Sequence, residues 1–438
     1  MPTTQIFYAS SLYGAATVAA AIDSGCFTPA DRRLLLVANN ATTPETTPSL
    51  DEMPGFERLR GRFDGVLSWN EAISPFHPGG WSPRQDDIPL WERYLRQLWD
   101  LGDDRVELAV ESIQVAPALA IAQLFPDAAL DVYADGLMSY GPTRNKIDPL
   151  VGERVRRLFH LDLVPGLEPL LLAEYGAEPR LVPTEAFVKI VAELSDVVPD
   201  AVPGVGEGPA LLLGQYLAAL GIITPAEEEA QHLRMLKGAV DVGHRNVVFK
   251  PHPTAPASWT RTLEREAEAL GVELTVVDRP LLAEVLYRQL RPRLVVGCFS
   301  TALFTAATFF GIPVARLGTE PLLDRLTPYQ NSNRVPLTVV DALVPDLAKG
   351  AAGAPAEADE RLTGLLSSVG FAMQPQIRPD LRPAAERFLS TALDASTARY
   401  FKRRRLTVLG LPGGLPVPRH AAVRRVVRRA RRLKRALT

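Results

Sequence analysis

Residues 210–253 read ALLLGQYLAALGIITPAEEEAQHLRMLKGAVDVGHRNVVFKPHP and combine two apolar runs of strand length with a helix between them. The apolar runs cover residues 210–216 and 246–250, and residues 227–240 have the composition of a helix. Continuous apolar strands that alternate with helices are typical of a parallel sheet covered on both faces. This stretch therefore predicts an α/β fold.

The same alternation extends through both halves of the chain. Between the halves, residues 195–209 (SDVVPDAVPGVGEGP) contain three prolines and three glycines, a composition typical of a linker. Two α/β halves joined in this way predict two Rossmann-like domains that face each other across a cleft, with ligands beyond the carboxyl ends of the strands. Further strands are predicted at residues 5–11, 33–38, 65–69, 106–110, 129–134, 273–277, 294–297 and 314–317, and further helices at 14–24, 117–125, 262–270, 282–290 and 301–310.

Length and composition narrow the class of protein. The chain has 438 residues, of which 47% are apolar and 22% charged, and this excludes intrinsic disorder for most of it. No apolar run reaches the length of about 20 residues that a membrane-spanning helix needs. On either side of the linker we expect an N-terminal domain at residues 1–194, a C-terminal domain at 210–345, a helical extension at 346–400 and a basic tail at 401–438.

The N-terminus and the cysteines indicate the compartment. Residues 1–5 hold no basic residue ahead of the first apolar run, so no secretory signal is predicted. Cys26 and Cys298 are the two cysteines, and both stand in apolar surroundings. We expect two buried thiols, which suit the reducing cytoplasm.

Charge is distributed unevenly between the body of the chain and its C-terminus. The chain has a formal net charge of −2, yet no acidic residue follows Asp394. The 14 Lys and Arg residues after that position leave 34 of the 48 basic residues to balance all 50 acidic ones. The body is therefore acidic and the tail strongly basic, and we expect the tail to have an anionic partner.

From residue 421 onward the basic tail has the pattern of an amphipathic helix. Its apolar residues share one face and its arginines occupy the rest. This pattern predicts a peripheral anchor on an anionic membrane surface, the inner face of the cell membrane. A solvated tail and an RNA-binding arm are the alternatives. No aromatic residue follows Lys402, which disfavours RNA binding by base stacking, and no nucleic-acid partner is expected.

Several common catalytic signatures are missing from the sequence. The six histidines show no zinc-ligand spacing with nearby cysteines, so no zinc site is predicted. No nucleophile elbow, P-loop or dinucleotide-binding glycine motif follows a predicted strand. The candidates that remain are three polar clusters, each at the carboxyl end of a predicted strand.

The first cluster is Asp135-Gly136, directly after the strand at residues 129–134. An aspartate released from a strand by a glycine can face a cleft and accept a proton from an attacking hydroxyl. The alternative is an ordinary Asp-Gly turn without a chemical role.

The second cluster is Lys250-Pro251-His252-Pro253, at the end of the strand at residues 246–250. Two prolines fix the backbone on either side of His252, whose imidazole could bind a phosphate or protonate a leaving group. The alternative is a kinked loop with an incidental histidine.

The third cluster is Ser300-Thr301, where the strand at residues 294–297 leads into a helix. Free N–H groups and the helix dipole at such a point favour a phosphate, and helix capping is the alternative. Glu284 lies in the first turns of the preceding helix. Its carboxylate could bridge ribose hydroxyls, and a solvated helix glutamate is the alternative.

These clusters, in this order over two α/β halves, resemble the bacterial sialyltransferases, and among them the polysialyltransferase type most closely. The resemblance spans about residues 5–345. It implies a GT-B fold and a CMP-sialic acid or related CMP-nonulosonic acid donor. It also implies transfer to a hydroxyl of a cell-surface glycan or lipid-linked acceptor, with inversion at the anomeric carbon and with neither a metal nor another cofactor.

The resemblance also implies roles for the candidate residues. Asp135 would be the general base that deprotonates the acceptor hydroxyl, and His252 would contact the leaving CMP phosphate as the general acid. Ala134 stands where the family usually has the first of two carboxylates before the glycine, which leaves the base position matched. The donor-binding residues would be Ser300 and Thr301 on the phosphate and Glu284 on the ribose, together with Lys250 and Gly136.

Two other functions fit parts of the pattern. A teichoic-acid-type glycerophosphotransferase that uses a CDP-alcohol also has a His-Pro and a Ser-rich helix start. That family usually carries an acidic residue just before the serine pair, where this chain has Gly297-Cys298-Phe299. The third candidate is a non-catalytic, membrane-peripheral protein that binds nucleotide sugars. Its function would survive the substitutions Asp135→Asn and His252→Ala.

Overall fold

The computed structural model describes residues 1–134, 136–198, 200, 202–206, 208–215, 217–252, 257–277 and 279–415. The described residues form two separate sheets, and all the paired strands in both sheets run parallel. Helices connect the strands. The α/β fold that the sequence predicts is confirmed.

The N-terminal half forms a seven-stranded sheet. Its strands are β1 (Thr3–Ala9), β2 (Arg32–Val37), β3 (Gly65–Ser68), β4 (Arg105–Val110), β5 (Ala129–Tyr133), β6 (Val155–Leu161) and β7 (Glu178–Val182). They lie in the order β3-β2-β1-β4-β5-β6-β7. Strands β1 to β3 follow one another towards one edge of the sheet and β4 to β7 towards the other, so the strand order reverses between β1 and β4. Loops at the carboxyl ends of these two neighbouring strands diverge, and such a switch point is where open α/β sheets bind ligands.

The C-terminal half forms a five-stranded sheet. Its strands are β8 (Ala210–Leu213), β9 (Asn246–Lys250), β10 (Glu273–Val276), β11 (Leu294–Gly297) and β12 (Val314–Arg316), in the order β10-β9-β8-β11-β12. The switch point lies between β8 and β11. Both sheets therefore have the doubly wound arrangement of a Rossmann-like unit.

Helices cover the faces of both sheets. Two of the longer helices have a side-chain cap at the N-terminus: the Ser11 hydroxyl accepts a bond from the Gly14 N–H, and Thr224 forms a capping box with Glu227. The helices are α1 (Leu12–Asp23), α2 (Glu57–Arg60), α3 (Trp69–Ala72), α4 (Ile88–Leu98), α5 (Ala118–Leu124), α6 (Pro149–Gly152), α7 (Thr184–Asp196), α8 (Pro225–Asp241), α9 (Ala257–Ala269), α10 (Ala283–Leu290), α11 (Ala302–Phe304), α12 (Thr319–Arg325), α13 (Arg334–Leu343), α14 (Glu360–Met373), α15 (Arg382–Thr391) and α16 (Arg403–Leu409).

The two halves pack directly against each other. Helices α7 and α10 lie together at this boundary, and the Gln289 side chain donates a bond of 2.6 Å to the Val198 carbonyl oxygen. The Thr308 hydroxyl donates a bond of 3.1 Å to the Leu163 carbonyl oxygen. The first contact lies near the amino ends of β8 and β11, and the second involves the residue pair Leu163 and Thr308, with Leu163 just after the carboxyl end of β6, so the two halves are joined at more than one level.

The segment after the second sheet returns to the N-terminal half. Helix α13 packs on the turn Leu137–Tyr140, and α14 passes close to Pro142 and Leu170. The buried Arg378 guanidinium donates a bond of 2.9 Å to the Leu170 carbonyl oxygen and pairs with Asp380 at 2.7 Å. The C-terminal helices therefore connect the two halves a second time.

Three of the differences between the structure and the sequence expectations have a plain physical reason. Strands β6 and β7 were not predicted, because arginines interrupt the first and the second is a largely exposed edge strand. Cys298 is buried as predicted, but Cys26 is half-buried, because it lies on the turn that ends α1. The helix predicted at residues 301–310 is the short α11, which continues as a π turn over Thr305–Phe309.

No helix within the described ranges combines the length and the apolar character that a bilayer span requires. Residues 416–438, which hold the predicted amphipathic helix of the tail, lie outside the described residues.

Candidate active site

A cavity of about 460 Å³ opens at the carboxyl ends of β8, β9 and β11. Five of the residues that the sequence analysis selects line it, namely Lys250, His252, Glu284, Ser300 and Thr301. They come from the end of one strand, the first turn of α10 and the turn after another strand. The structure thus brings together residues that lie up to 51 positions apart in the sequence.

Glu284 and Lys250 are opposite charges in the inner part of this cavity. The Glu284 side chain is 3% exposed, and its Oε1 accepts a bond of 2.6 Å from the Thr305 hydroxyl. Burial raises the pKa of Glu284, while the Thr305 bond and the Lys250 charge act in the opposite direction. Burial lowers the pKa of Lys250, and the Glu284 charge opposes that shift. Each group therefore favours the charged state of the other.

His252 follows β9 directly after Pro251. Burial lowers the pKa of His252 below its ordinary value, and the nearby positive charge of Lys250 lowers it further. Without a bound anion, the imidazole is therefore mostly neutral at pH 7. A phosphate placed against it would raise its pKa again, because an opposite charge stabilises the imidazolium.

The turn after β11 presents Ser300 and Thr301. The Ser300 Oγ accepts a bond of 3.2 Å from the Ala302 N–H, and Thr301, the N-cap residue of α11, makes no capping bond with its own side chain. The Phe299 N–H donates a bond of 2.7 Å to the side-chain oxygen of Gln215. A phosphate at this turn would therefore compete with the Gln215 and Ser300 side chains for the two N–H groups from which they already accept bonds.

The N-terminal half reaches this turn through Gly136. The Leu137 N–H donates a bond of 3.3 Å to the Thr301 Oγ1, and a Cβ added at Gly136 would lie 2.4 Å from the same oxygen. A residue larger than glycine would therefore collide with Thr301. The first and third sequence clusters thus touch across the boundary between the halves. Asp135 itself lies outside the described residues.

Sequence reasoning missed three residues around the site. Tyr13, on the first turn of α1, lines the cavity from the N-terminal half and packs on Phe187 with ring centroids 5.3 Å apart. Gln215 holds the turn after β11, as described above. Both follow the first strand of their half by a few residues, and the position after the first strand is the signal that could have found them.

The third missed residue is Glu111, a buried carboxylate at the carboxyl end of β4. It accepts bonds from the Ser10 N–H at 2.6 Å and from the Ser10 hydroxyl, and the Tyr133 hydroxyl lies 3.3 Å from its Oε2. Glu111 therefore ties the ends of β1, β4 and β5 together, next to the loop that carries Gly136. A lone glutamate after a strand has no motif that sets it apart.

Among the described residues, no three His, Cys, Asp or Glu side chains gather in a way that could hold a metal ion. The polar side-chain groups of the cavity are instead an amine, an imidazole, a carboxylate, an amide and three hydroxyls. An amine, an imidazole and hydroxyls can all donate hydrogen bonds, and such donors recognise a phosphate group.

A family model described as alpha-2,8-polysialyltransferase matches residues 5–319. The chain belongs to this family. The match includes both sheets up to β12 and all three strand-end clusters. Members of the polysialyltransferase family are glycosyltransferases of the sialyltransferase type, so the resemblance seen in the sequence is confirmed. Two Rossmann-like units that contact each other at their carboxyl edges form the GT-B fold of this polysialyltransferase-family chain.

Comparison with solved structures gives distant likenesses. A 2,6-sialyltransferase of Vibrionaceae Photobacterium sp. JT-ISH-224, in complex with donor product CMP and acceptor substrate lactose, is 11% identical. The alignment covers 76% of this chain and 75% of that one, with a TM-score of 0.43. MurG of Acinetobacter baumannii is 10% identical over 91% of this chain and 97% of its own, with a TM-score of 0.41. A comparison with curated protein sequences finds no match.

Proposed function

We propose that this polysialyltransferase-family protein transfers sialic acid, or a related nonulosonic acid, from its CMP donor to a glycan hydroxyl. The observation that carries the proposal is the single cavity that holds Lys250, His252, Ser300 and Thr301 beside the Gly136 loop. Cationic and hydroxyl groups on one side suit a leaving phosphate. The loop from the other half supplies the side from which an acceptor would attack.

The donor would occupy the cavity at the ends of β8, β9 and β11. Its phosphate would lie among His252, Ser300 and Thr301, and Lys250 would balance its charge. Glu284 would accept bonds from the ribose hydroxyls through the oxygen that Thr305 does not use. The Gly136 loop would contact the donor through Thr301.

In the proposed reaction the acceptor hydroxyl gives its proton to Asp135, and its oxygen forms a bond to the anomeric carbon. The bond from that carbon to the CMP phosphate oxygen breaks, and the electron pair leaves with CMP. Attack from the face opposite the leaving group inverts the anomeric carbon. The anionic donor raises the pKa of His252, so that the imidazole acquires a proton. His252 then donates this proton to the departing phosphate oxygen.

In this scheme the N-terminal domain, residues 1–194, binds the acceptor. The C-terminal domain, residues 210–345, binds the donor. Closure about the linker at residues 195–209 would bring the two together. No metal or organic cofactor is needed in this scheme. Donor and acceptor would meet only in the closed arrangement, which excludes water from the reacting atoms.

The decisive experiment measures CMP release from CMP-sialic acid and, separately, from CDP-glycerol. We expect release from CMP-sialic acid only, with a large loss in His252→Ala and in Asp135→Asn. His244→Ala is the matched control, because His244 precedes β9 and therefore lies near the opposite end of the strand that His252 follows. Release from CDP-glycerol alone would establish the glycerophosphotransferase instead. Full activity of both variants would show that neither residue is catalytic, and CMP binding without release from either substrate would favour the non-catalytic nucleotide-sugar-binding protein.

We further propose that the basic tail, residues 401–438, holds the protein at the inner face of the cell membrane, where it would extend a capsule or other cell-surface polysaccharide. The support is the excess of basic residues after Asp394. The test is sedimentation with vesicles of phosphatidylglycerol, compared with vesicles of phosphatidylcholine alone. We expect binding to the anionic vesicles only, and none by a chain ending at residue 415.

A further inference from the structure

A second cleft, of about 930 Å³, lies on the N-terminal half at the carboxyl ends of β2 and β3. It is separate from the candidate active site, with which it shares no lining residue. We propose that this cleft binds an uncharged part of an oligosaccharide acceptor. The inference rests on the proposed function in so far as it calls this glycan an acceptor. The binding of a neutral glycan can be tested without that function.

The position of the cleft suits an acceptor that extends away from the reacting end. All strands of the seven-stranded sheet are parallel, so the ends of β2 and β5 lie on the same edge. Three strand spacings separate them, a distance of about 14 Å. A glycan whose terminal hydroxyl reaches the loop after β5 would therefore span the gap with a few sugar units and enter the cleft.

The lining of the cleft suits sugars. Phe76 is 53% exposed and stacks on Trp81 at a centroid distance of 6.4 Å with an interplanar angle of 27°. An exposed aromatic face with partial negative charge attracts the C–H groups of a sugar ring. Glu45 and Glu71, both exposed, lie in the same cleft. Carboxylates accept hydrogen bonds from sugar hydroxyls.

The walls of the cleft are fixed before any ligand binds. Asn39 and Asn70 bond to each other twice, with the Asn39 N–H donating to the Asn70 side chain at 2.8 Å and the Asn70 amide donating to the Asn39 carbonyl at 3.0 Å. The His77 ring lies 2.9 Å from the Ala41 carbonyl oxygen. Bonds within the walls reduce the conformational entropy that the protein would lose when it binds a sugar.

The charge of the cleft defines the class of ligand. Its lining includes the three glutamates Glu45, Glu52 and Glu71, and no Lys or Arg is among the described residues that line it. An anionic polysaccharide would be repelled there. A sialylated chain could therefore occupy the active site with its end, but the segment in the cleft must be neutral.

The test uses the full chain and four probes of equal length: maltotetraose, chitotetraose, a tetramer of sialic acid and tetralysine. Binding is followed by tryptophan fluorescence, because Trp81 lies under Phe76, and by calorimetry. We expect at least one neutral tetrasaccharide to bind, and Phe76→Ala to weaken it about two- to tenfold. The matched control is Leu181→Ala, an apolar residue that is 53% exposed, like Phe76, but lies on β7 at the opposite edge of the sheet, and its loss should change nothing.

Three results would overturn the inference. These are binding of neither neutral probe, neutral binding that Phe76→Ala leaves intact, and tighter binding of the sialic acid tetramer or of tetralysine at this cleft. A CMP titration of the same protein separates the two proposals. CMP binding without neutral-glycan binding contradicts only the inference, and the reverse result contradicts only the proposed donor.

Discussion

The substitution Gly136→Ala tests whether contact between the two halves governs activity. A Cβ at this position would lie 2.4 Å from the Thr301 Oγ1 and 3.3 Å from the Thr301 Cβ. Comfortable contact begins about 1 Å beyond the first distance. The backbone at Gly136 is extended, so the substitution adds no conformational strain of its own. Its whole effect should therefore come from the collision with Thr301.

The size of the effect follows from the cost of overpacking, which is about 1–3 kcal/mol. The halves can relieve the collision by moving apart, so this free energy is lost from the closed arrangement rather than from the fold. Because 1.4 kcal/mol is a factor of ten, we expect CMP release to fall roughly five- to a hundredfold. The thermal unfolding midpoint should stay within about 2 °C of the parent value.

A double-substitution cycle identifies the cause. Thr301→Ala removes the oxygen and the methyl group that the new Cβ would strike, and on its own it should cost about two- to tenfold through loss of the Leu137 bond. The double variant should be no worse than Thr301→Ala alone. Gly61→Ala is the matched control, because nothing lies within 4 Å of the Cβ that it adds. Costs that simply add in the double variant would show that this contact does not govern closure.

Three further predictions concern stability and the donor site. Burial lowers the pKa of His232 to about 4 from an ordinary 6.5, so the unfolded state binds a proton more readily than the native state. Acidification from pH 6.5 to 4 should therefore lower the free energy of unfolding by up to about 3 kcal/mol. Urea titrations at the two pH values should show a smaller loss in His232→Phe. Arg157 and Arg156 both pair with the buried Asp131, at 2.6 Å and 2.9 Å, so Arg157→Ala removes one of two cations and should lower the free energy of unfolding by about 1–2 kcal/mol, and an unchanged urea midpoint would contradict this. Gln215→Ala removes the acceptor that competes with a phosphate for the Phe299 N–H, so we expect tighter CMP binding in calorimetry with little change in thermal stability, and weaker binding would contradict this.

The sequence predicts the fold well where strands are continuous apolar runs. Strands such as β9 and β11 are buried on both faces, so their composition alone identifies them. In β6, Arg156 and Arg157 form ion pairs with the buried Asp131 on the neighbouring strand β5. This pairing depends on the order of the strands in the sheet, which no local sequence pattern reveals. Strand β7 lies at the edge, where polar residues are tolerated on both faces.

The candidate site could be predicted in part, because each cluster has a local mark: a glycine after an acid, prolines around a histidine, hydroxyls before a helix. The structure gathers the second and third clusters with Glu284 in one cavity, as the alternation of strands and helices implies. Tyr13, Gln215 and Glu111 were missed because each acts through a contact between elements distant in sequence. Tyr13 and Gln215 are marked only by their position after the first strand of each half, and Glu111 has no local mark.

The return of the C-terminal helices to the N-terminal half limits how such a protein can be recombined. Helix α14 lies against Pro142 and Leu170, and Arg378 is buried with its guanidinium on the Leu170 carbonyl. A chimera that exchanges donor-binding halves at the linker would thus carry a foreign α14 onto the native N-terminal half. Helix α13 also packs on the N-terminal half, so modular exchange of donor specificity should succeed only when the grafted piece ends before α13, near residue 333, and the host keeps its own residues 334–415.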